Sequence, residues 1–220
     1  MIDPNRQPIQ TVLLDVDGTL LDTRNYILSA FAHAAQTFGI RLPSPGILTR
    51  QIGRPLETVY GEWAPQSMIA ELIESHRQFQ EDNLGLVKPY PGSEQALTVL
   101  RARGLALAVV TSRSRRTSRA SLEIAGIGQF FEFVVSAEDA SALKPDPAPL
   151  LAALSMLGRS SAGAVMVGDT VHDVHAGQAI GIPTIAALYG FGGEGVRSAD
   201  PSFTISSVVH LPAAIDSLNA

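Results

Sequence analysis

Asp15 and Asp17 close the apolar run Thr11-Val12-Leu13-Leu14, and Gly18, Thr19 and Leu20 follow directly. A buried strand has no need of a carboxylate at its end, let alone two, because an ionised group taken out of water must find partners. The segment delivers both acids to one point, where a nucleophile, a proton carrier and a metal site can be built.

Three further places carry residues of the same kind. Thr111 and Ser112 follow the apolar run 105–110. Gly168 and Asp169 follow the run 164–167, with Asp173 four residues on, and Lys144-Pro145 lies in a loop between these two places. Only two of the 16 basic residues are lysines, Lys88 and Lys144, and the other 14 are arginines. Lysine is not the generic surface cation of this chain, so Lys144 carries more information than a lysine usually does.

These side chains depend on the elements before them. Apolar stretches at Thr11–Leu14, 105–110, Phe133–Val135, 164–167, 183–187 and Phe203–Ile205 read as strands. Helical segments 92–103, 116–125, Ala148–Leu157 and 171–180 lie between them, stopped by Gly104, Gly126, Gly158 and Gly181. This alternation predicts an α/β fold, a three-layer Rossmann-like core with a parallel sheet covered on both faces. Ligands in such sheets bind outside the carboxyl ends of the strands, and all four places fall on that rim.

The stretch 22–88 breaks the rhythm. It reads as helix after helix, at 22–38 closed by Gly39, around 47–52, at 55–60 and at 65–82, with no strand among them. A βαβ crossover needs only ~30 residues, and this one has roughly 65. The expectation is a small all-helical cap domain, residues 22–88, inserted after the first strand of a core formed by residues 1–21 and 89–220. The cap leaves the core beside the acidic pair, where it can act as a lid.

Composition narrows the function. A net charge of −5 gives no basic footprint for nucleic acid or an anionic membrane. The absence of cysteine removes disulfides, thiolate zinc sites and a Cys nucleophile. The first ten residues are polar and lack the apolar stretch of a signal peptide, and no apolar run nears the ~20 residues of a membrane helix. A cytoplasmic protein, monomer or homodimer, is expected.

Asp15-Val16-Asp17-Gly18-Thr19, Thr111, Lys144 and Gly168-Asp169-Thr170-Val171-His172-Asp173 resemble, in order and at compatible spacing, the four signature motifs of the haloacid dehalogenase superfamily. The helical insert resembles the cap of phosphoglycolate-phosphatase-like members. Tyr90-Pro91-Gly92-Ser93 and Val174-His175-Ala176-Gly177 add smaller likenesses. The resemblance implies a Mg²⁺ ion held by Asp15, the Asp17 carbonyl and Asp169, with Asp173 holding a metal water or Lys144. It also implies that Thr111, the Ser112 amide and Lys144 grip the phosphoryl oxygens.

The chemistry reads the same way from the residues. Phosphate monoesters are among the slowest substrates to hydrolyse unaided, since an anionic phosphoryl group repels nucleophiles. Asp15 can attack phosphorus to give an aspartyl phosphate. Asp17 can protonate the leaving oxygen and then activate water. Hard carboxylate oxygens suit Mg²⁺. Gly18 forms the turn that holds both acids, and the helix expected from near Arg113 aims its amides at the phosphate. In the cap, Gly53 permits close backbone approach, and Arg54 or Arg50 can meet an anionic end of the substrate.

Other features read as structural. Gly190 to Gly195 matches G-x-G-x-x-G but has no helix opening behind it, so a flexible rim loop is expected. His172 and His175 are expected to be surface or packing residues, Tyr60 and Trp63 to pack the insert, and Arg113, Arg115, Arg116 and Arg119 to form a solvated helix face that can still steer an anion. The expected function is a Mg²⁺-dependent phosphatase for a small phosphorylated metabolite. A sugar-phosphate mutase and an inorganic pyrophosphatase are the alternatives. A non-catalytic binding protein would need a lost motif residue, and none is missing. Within the family that the chain resembles, dehalogenases lack the second Asp and phosphonate hydrolases use a cap lysine as a Schiff base, so the resemblance together with Asp17 and the lack of lysine between Asp22 and Val87 argues against both.

Overall fold

The computed structural model describes residues 7–220. Residues 1–6, the start of the polar N-terminal stretch and of the expected core, lie outside the described residues.

Strands β1 (Thr11–Leu14), β2 (Leu21–Asp22), β3 (Lys88–Pro89), β4 (Ala106–Val110), β5 (Phe133–Val135), β6 (Ala164–Gly168), β7 (Thr184–Ala187) and β8 (Phe203–Ile205) form two sheets. Six of them make one sheet in the order β5-β4-β1-β6-β7-β8. Every pairing in it is parallel, with Thr11 beside both Ala106 and Ala164. Central strands β1, β4 and β6 are buried along their whole length, as their unbroken apolar sequences require.

Side chains alternate between the two faces. Val12, Leu14, Leu107, Val109, Val165 and Val167 enter the larger core, while Leu13, Ala108, Val110 and Met166 enter the smaller one. Helices α5 (Ser93–Ala102), α6 (Arg115–Ile124) and α9 (Leu211–Asn219) cover the first face through Leu97, Leu100, Leu122, Leu211 and Ile215. Helices α7 (Ala148–Leu157) and α8 (Val171–Ala179) cover the second through Leu150, Leu154 and Ala176. The three-layer α/β architecture follows. Helix α9 had no counterpart among the sequence expectations.

Between β2 and β3 lie α1 (Arg24–Phe38), α2 (Pro45–Thr49), α3 (Leu56–Gly61) and α4 (Ile69–Asp82). The two short strands pair antiparallel at the ends of this stretch, Leu21 with Pro89 and Asp22 with Lys88, as a ribbon that ties its entry to its exit. Helix α1 buries Tyr26, Phe31 and Ala34, and α4 buries Leu72, Ile73 and His76. The Phe31 and His76 rings meet edge to face at 4.6 Å, and Tyr60 Oη lies 3.0 Å from His76 Nδ1. Burial pulls the His76 imidazole down to about 3, so it stays neutral. Trp63 packs half-buried against the same cluster. Among the described residues no helix is long and apolar enough to cross a membrane.

The stretch after β7 departs from expectation. Residues Gly193–Ala199 form a 3₁₀ helix rather than a loose rim loop, and Val196 and Ala199 are buried beside Val174 and Ala186.

Candidate active site

The chain after β1 turns sharply, with the Leu20 and Leu21 amides both donating to the Val16 carbonyl at 3.0 and 2.9 Å. Gly18 makes the turn possible. Its φ of 83° is a left-handed conformation, and a Cβ there would stand 2.2 Å from Asp169 Oδ2. Asp15 and Asp17 are thereby held at the strand end, each 8% exposed.

Lys144 is the hub. Its ammonium donates to Asp15 Oδ1 at 2.8 Å, to Asp173 Oδ1 at 2.6 Å and to the Val110 carbonyl at 2.8 Å, which uses its three donors. Asp173 does two jobs with its two oxygens. Oδ2 accepts from the Thr170 amide and hydroxyl and caps α8, while Oδ1 holds Lys144. Gly168 is obligatory beneath it, since a Cβ there would lie 2.2 Å from the Asp173 carboxyl carbon.

Asp169 is fully buried and is met by Thr19 Oγ1 at 3.3 Å and by the Phe191 amide at 2.6 Å. The glycines flanking Phe191 explain the ordered rim. A Cβ at Gly190 would sit 2.3 Å from Asp169 Cβ, and one at Gly192 would sit 2.2 Å from the Asp169 carbonyl oxygen. The G-x-G pattern therefore lets backbone close over an acid rather than over a nucleotide.

Asp15, Asp169 and Asp173 each bring a carboxylate oxygen to a group whose members lie within 4.8 Å of one another. Three carboxylates against one ammonium leave two formal negative charges in a buried space. Burial, reinforced by Asp173 and Asp17 and opposed by Lys144, raises Asp15 to about 7. Burial, with Asp173 and Asp15 adding, holds Asp169 well above the usual carboxylate range. The hard-oxygen donor set and its charge excess fit a divalent cation such as Mg²⁺. The Asp17 carboxylate stands outside this group. Its Oδ1 accepts from Thr23 Oγ1 at 2.6 Å and from Arg113 Nη1 at 3.2 Å.

Thr111 is buried at the end of β4, and its hydroxyl accepts from the Arg113 amide at 3.2 Å. Helix α6 begins at Arg115, one residue before the expected segment 116–125 and two after the start expected near Arg113 for its phosphate-facing amides, with Ser114 as its N-cap. Arg113 therefore belongs to the strand–helix turn and its side chain points inward, only 9% exposed. It leaves the expected solvated face, on which Arg115 pairs with Asp139 and Arg116 with Glu81 of α4.

A cavity of about 180 Å³ is lined from the core by Asp15, Asp17, Thr111, Ser112, Arg113, Lys144 and Asp173. The helical insert contributes Ile27, Phe31, Ile52, Gly53, Arg54, Leu56, His76 and Arg77. Arg54 reaches the wall while bonded to Gln51 and, at 2.8 Å, to Glu62. Arg50 does not line it. Helix α2 buries Leu48 and Thr49, which turns the next residue out to solvent. His172 also lines the cavity and burial lowers its pKa, whereas His175 is exposed. The inward roles of Ile27, Phe31, His76 and Arg77 were not foreseen. Ile27 and Phe31 carried a signal in their i, i+4 spacing on one apolar helix face, and His76 and Arg77 carried none.

A family model described as haloacid dehalogenase-like hydrolase matches residues 12–187. The chain is 33% identical over 210 residues to the pyrophosphatase PpaX of Halalkalibacterium halodurans, which covers 92% of this chain and 95% of that protein. It is 32% identical to the protein of the same name from Bacillus cereus, over 96% and 98%. A predicted phosphatase from Clostridium acetobutylicum superposes with a TM-score of 0.86 at 26% identity, covering 96% of this chain and all of the other. The chain belongs to the haloacid dehalogenase-like hydrolases, and it is a phosphatase of that family.

Proposed function

We propose that the protein is a Mg²⁺-dependent phosphatase that cleaves a small phosphorylated metabolite through an aspartyl phosphate on Asp15. The observation that carries this is the convergence of Asp15, Asp17 and Lys144 on one 180 Å³ cavity beneath the helical insert. Pockets for drug-sized ligands span roughly 300–1,000 Å³, so this smaller space suits a phosphoryl group with a small leaving group rather than a phosphoprotein. Residues 22–88 act as its cap and the remainder as its core.

In this reading Asp15 attacks phosphorus as the bond to the leaving oxygen breaks. Asp17 gives that oxygen its proton and later takes one from the water that hydrolyses the acyl phosphate. Lys144 orients Asp15 and sets its positive charge beside the phosphoryl group, whose equatorial oxygens the Thr111 hydroxyl and Ser112 amide hold. Asp15, Asp169 and the Asp17 carbonyl would hold the Mg²⁺, which would neutralise charge on the phosphoryl group. Asp173 holds Lys144 in place. A cytoplasmic setting belongs to the same proposal.

The cap side of the cavity sets an apolar patch of Ile27, Phe31, Ile52, Pro55 and Leu56 among the polar Arg54, Glu57, His76, Arg77 and Gln80. That lining favours an organic leaving group. Pyrophosphate is the second reading, and the names of the two PpaX relatives favour it. Release of inorganic phosphate from a panel holding pyrophosphate, 2-phosphoglycolate, sugar phosphates and p-nitrophenyl phosphate, with Mg²⁺ and with chelator, tests both. Turnover of monoesters above pyrophosphate is expected, lost with chelator. Formation of a phosphosugar isomer without phosphate release would make the enzyme a mutase, and no turnover of any substrate would end the enzymatic reading.

The metal has a pH signature. The folded protein holds the Asp15 proton up to about 7, while the unfolded chain releases it near ~4. The metal-free protein binds more protons folded than unfolded in that window and loses stability as pH rises through it. Metal binding must displace the proton. Millimolar MgCl₂ should therefore raise Tm by several degrees at pH 8 and by clearly less at pH 5. An equal shift at both pH values in a thermal melt would contradict the assignment of Asp15 as a ligand.

A further inference from the structure

The Asp17 carboxylate is held on one side only. Both hydrogen bonds it accepts, from Thr23 and from Arg113, fall on Oδ1, and Oδ2 takes none from the described residues. Arg113 in turn is aimed by a cap residue. Its Nη2 donates to Tyr26 Oη at 3.1 Å and to the Thr117 carbonyl at 3.3 Å, and its guanidinium carbon stands 5.0 Å from the Tyr26 ring centroid. The Tyr26 hydroxyl, completely buried, donates to the Gln80 carbonyl of α4 at 2.9 Å. Nε of Arg113 is buried without a partner, so the guanidinium is held through its two terminal nitrogens alone.

We infer that Tyr26 is a positioning residue for leaving-group protonation, acting through Arg113 on Asp17. One phenol joins α1 and α4 of the cap and fixes the plane of a core arginine. That plane puts Nη1 on Asp17 Oδ1 and leaves Oδ2 for the substrate. The acid is therefore aimed only while the cap helices stand where they do here. In the step concerned, an Asp15 oxygen bonds to phosphorus, the bond from phosphorus to the leaving oxygen breaks, and the Asp17 carboxyl proton moves to that oxygen. The inference rests on the proposed role of Asp17 as the acid.

Phenyl phosphate and p-nitrophenyl phosphate have nearly the same shape, but phenolate is the more basic leaving group and needs the proton more. General acids contribute about 10²–10⁴-fold when fully in place, so partial loss of aim should cost about tenfold. Tyr26→Phe should lower kcat/KM about tenfold on phenyl phosphate and less than about twofold on p-nitrophenyl phosphate, with Tm within a few degrees of wild type. Arg113→Lys keeps the charge but loses the fork that reaches Asp17 and Tyr26 together, and whatever it costs both substrates it should cost phenyl phosphate about tenfold more than p-nitrophenyl phosphate. Asp17→Asn serves as the reference. If Asp17→Asn separates the two substrates and both Tyr26→Phe and Arg113→Lys lower them equally or not at all, the inference is wrong and the role of Asp17 stands. If Asp17→Asn fails to separate them, Asp17 is not the acid and the inference falls with it.

Discussion

Asp15→Asn should lower turnover by roughly 10⁴-fold or more, the scale of losing a nucleophile from a covalent mechanism. An amide is too weak a nucleophile to attack phosphorus, whatever else stays in place. The fold should survive. Asn is isosteric, and its amide oxygen can still accept from Lys144 where Asp15 Oδ1 now does at 2.8 Å. The substitution also removes an anion that burial disfavours, since the Asp15 carboxyl is raised to about 7. At pH 8 without metal the variant should melt at or above the wild-type temperature. A variant that keeps a tenth of the activity would show that Asp15 is not the nucleophile, and one that fails to fold would show that its charge is structural.

Lys144→Met should damage both stability and turnover. The methionine fills most of the space but takes away three hydrogen bonds and the cation that separates Asp15 from Asp173. Breaking a buried ion pair by removing one partner costs about 3–5 kcal/mol, which for a chain of this size lowers Tm by on the order of 10 °C. The loss should be larger at pH 8 than at pH 5, because carboxyls without their cation recover by taking up protons. Loss of the preorganised cation beside a developing anion adds about 10²–10³-fold in kcat. Thermal melts at the two pH values together with steady-state rates check both parts. A variant that melts like wild type at pH 8 would mean that Lys144 is not the hub of the cluster.

The acids and the lysine were legible in the sequence because type and spacing were enough. Asp15, Asp17 and Asp169 each follow an apolar strand, with Asp173 in the first turn of the helix after Asp169, and a parallel sheet brings strand ends to one rim whatever their separation along the chain. Lys144 stood out through the scarcity of lysine. Arg113 was harder to read. Four arginines within seven positions resemble a solvated helix face, and although the segment 116–125 already left Arg113 ahead of the helix, only its bond to Asp17 shows that it turns inward. Tyr26, Ile27 and Phe31 were hidden for another reason. On a helix that must bury one side, residues lining a cavity and residues packing a core share the same apolar periodicity. Arg50 and Arg54 could not be separated from sequence, since their direction depends on which neighbours α2 buries. At Gly190 and Gly192 the pattern was visible but its partner was not, because nothing local announces that Asp169 lies beneath them. Helix α9 did carry a signal, Pro212 in its first turn and apolar Leu211, Ala214, Ile215 and Leu218 at helical spacing.

The passage of the phosphoryl group through Asp15 is tested most directly by trapping it. In a single turnover with p-nitrophenyl phosphate and Mg²⁺, acid-quenched within the first burst and digested, the peptide holding Asp15 should carry the mass of one phosphoryl group. The adduct should disappear on treatment with hydroxylamine and should be absent from Asp15→Asn. Stoichiometric p-nitrophenol release with no phosphorylated peptide at any quench time, or a phosphoryl group on another residue, would contradict the account.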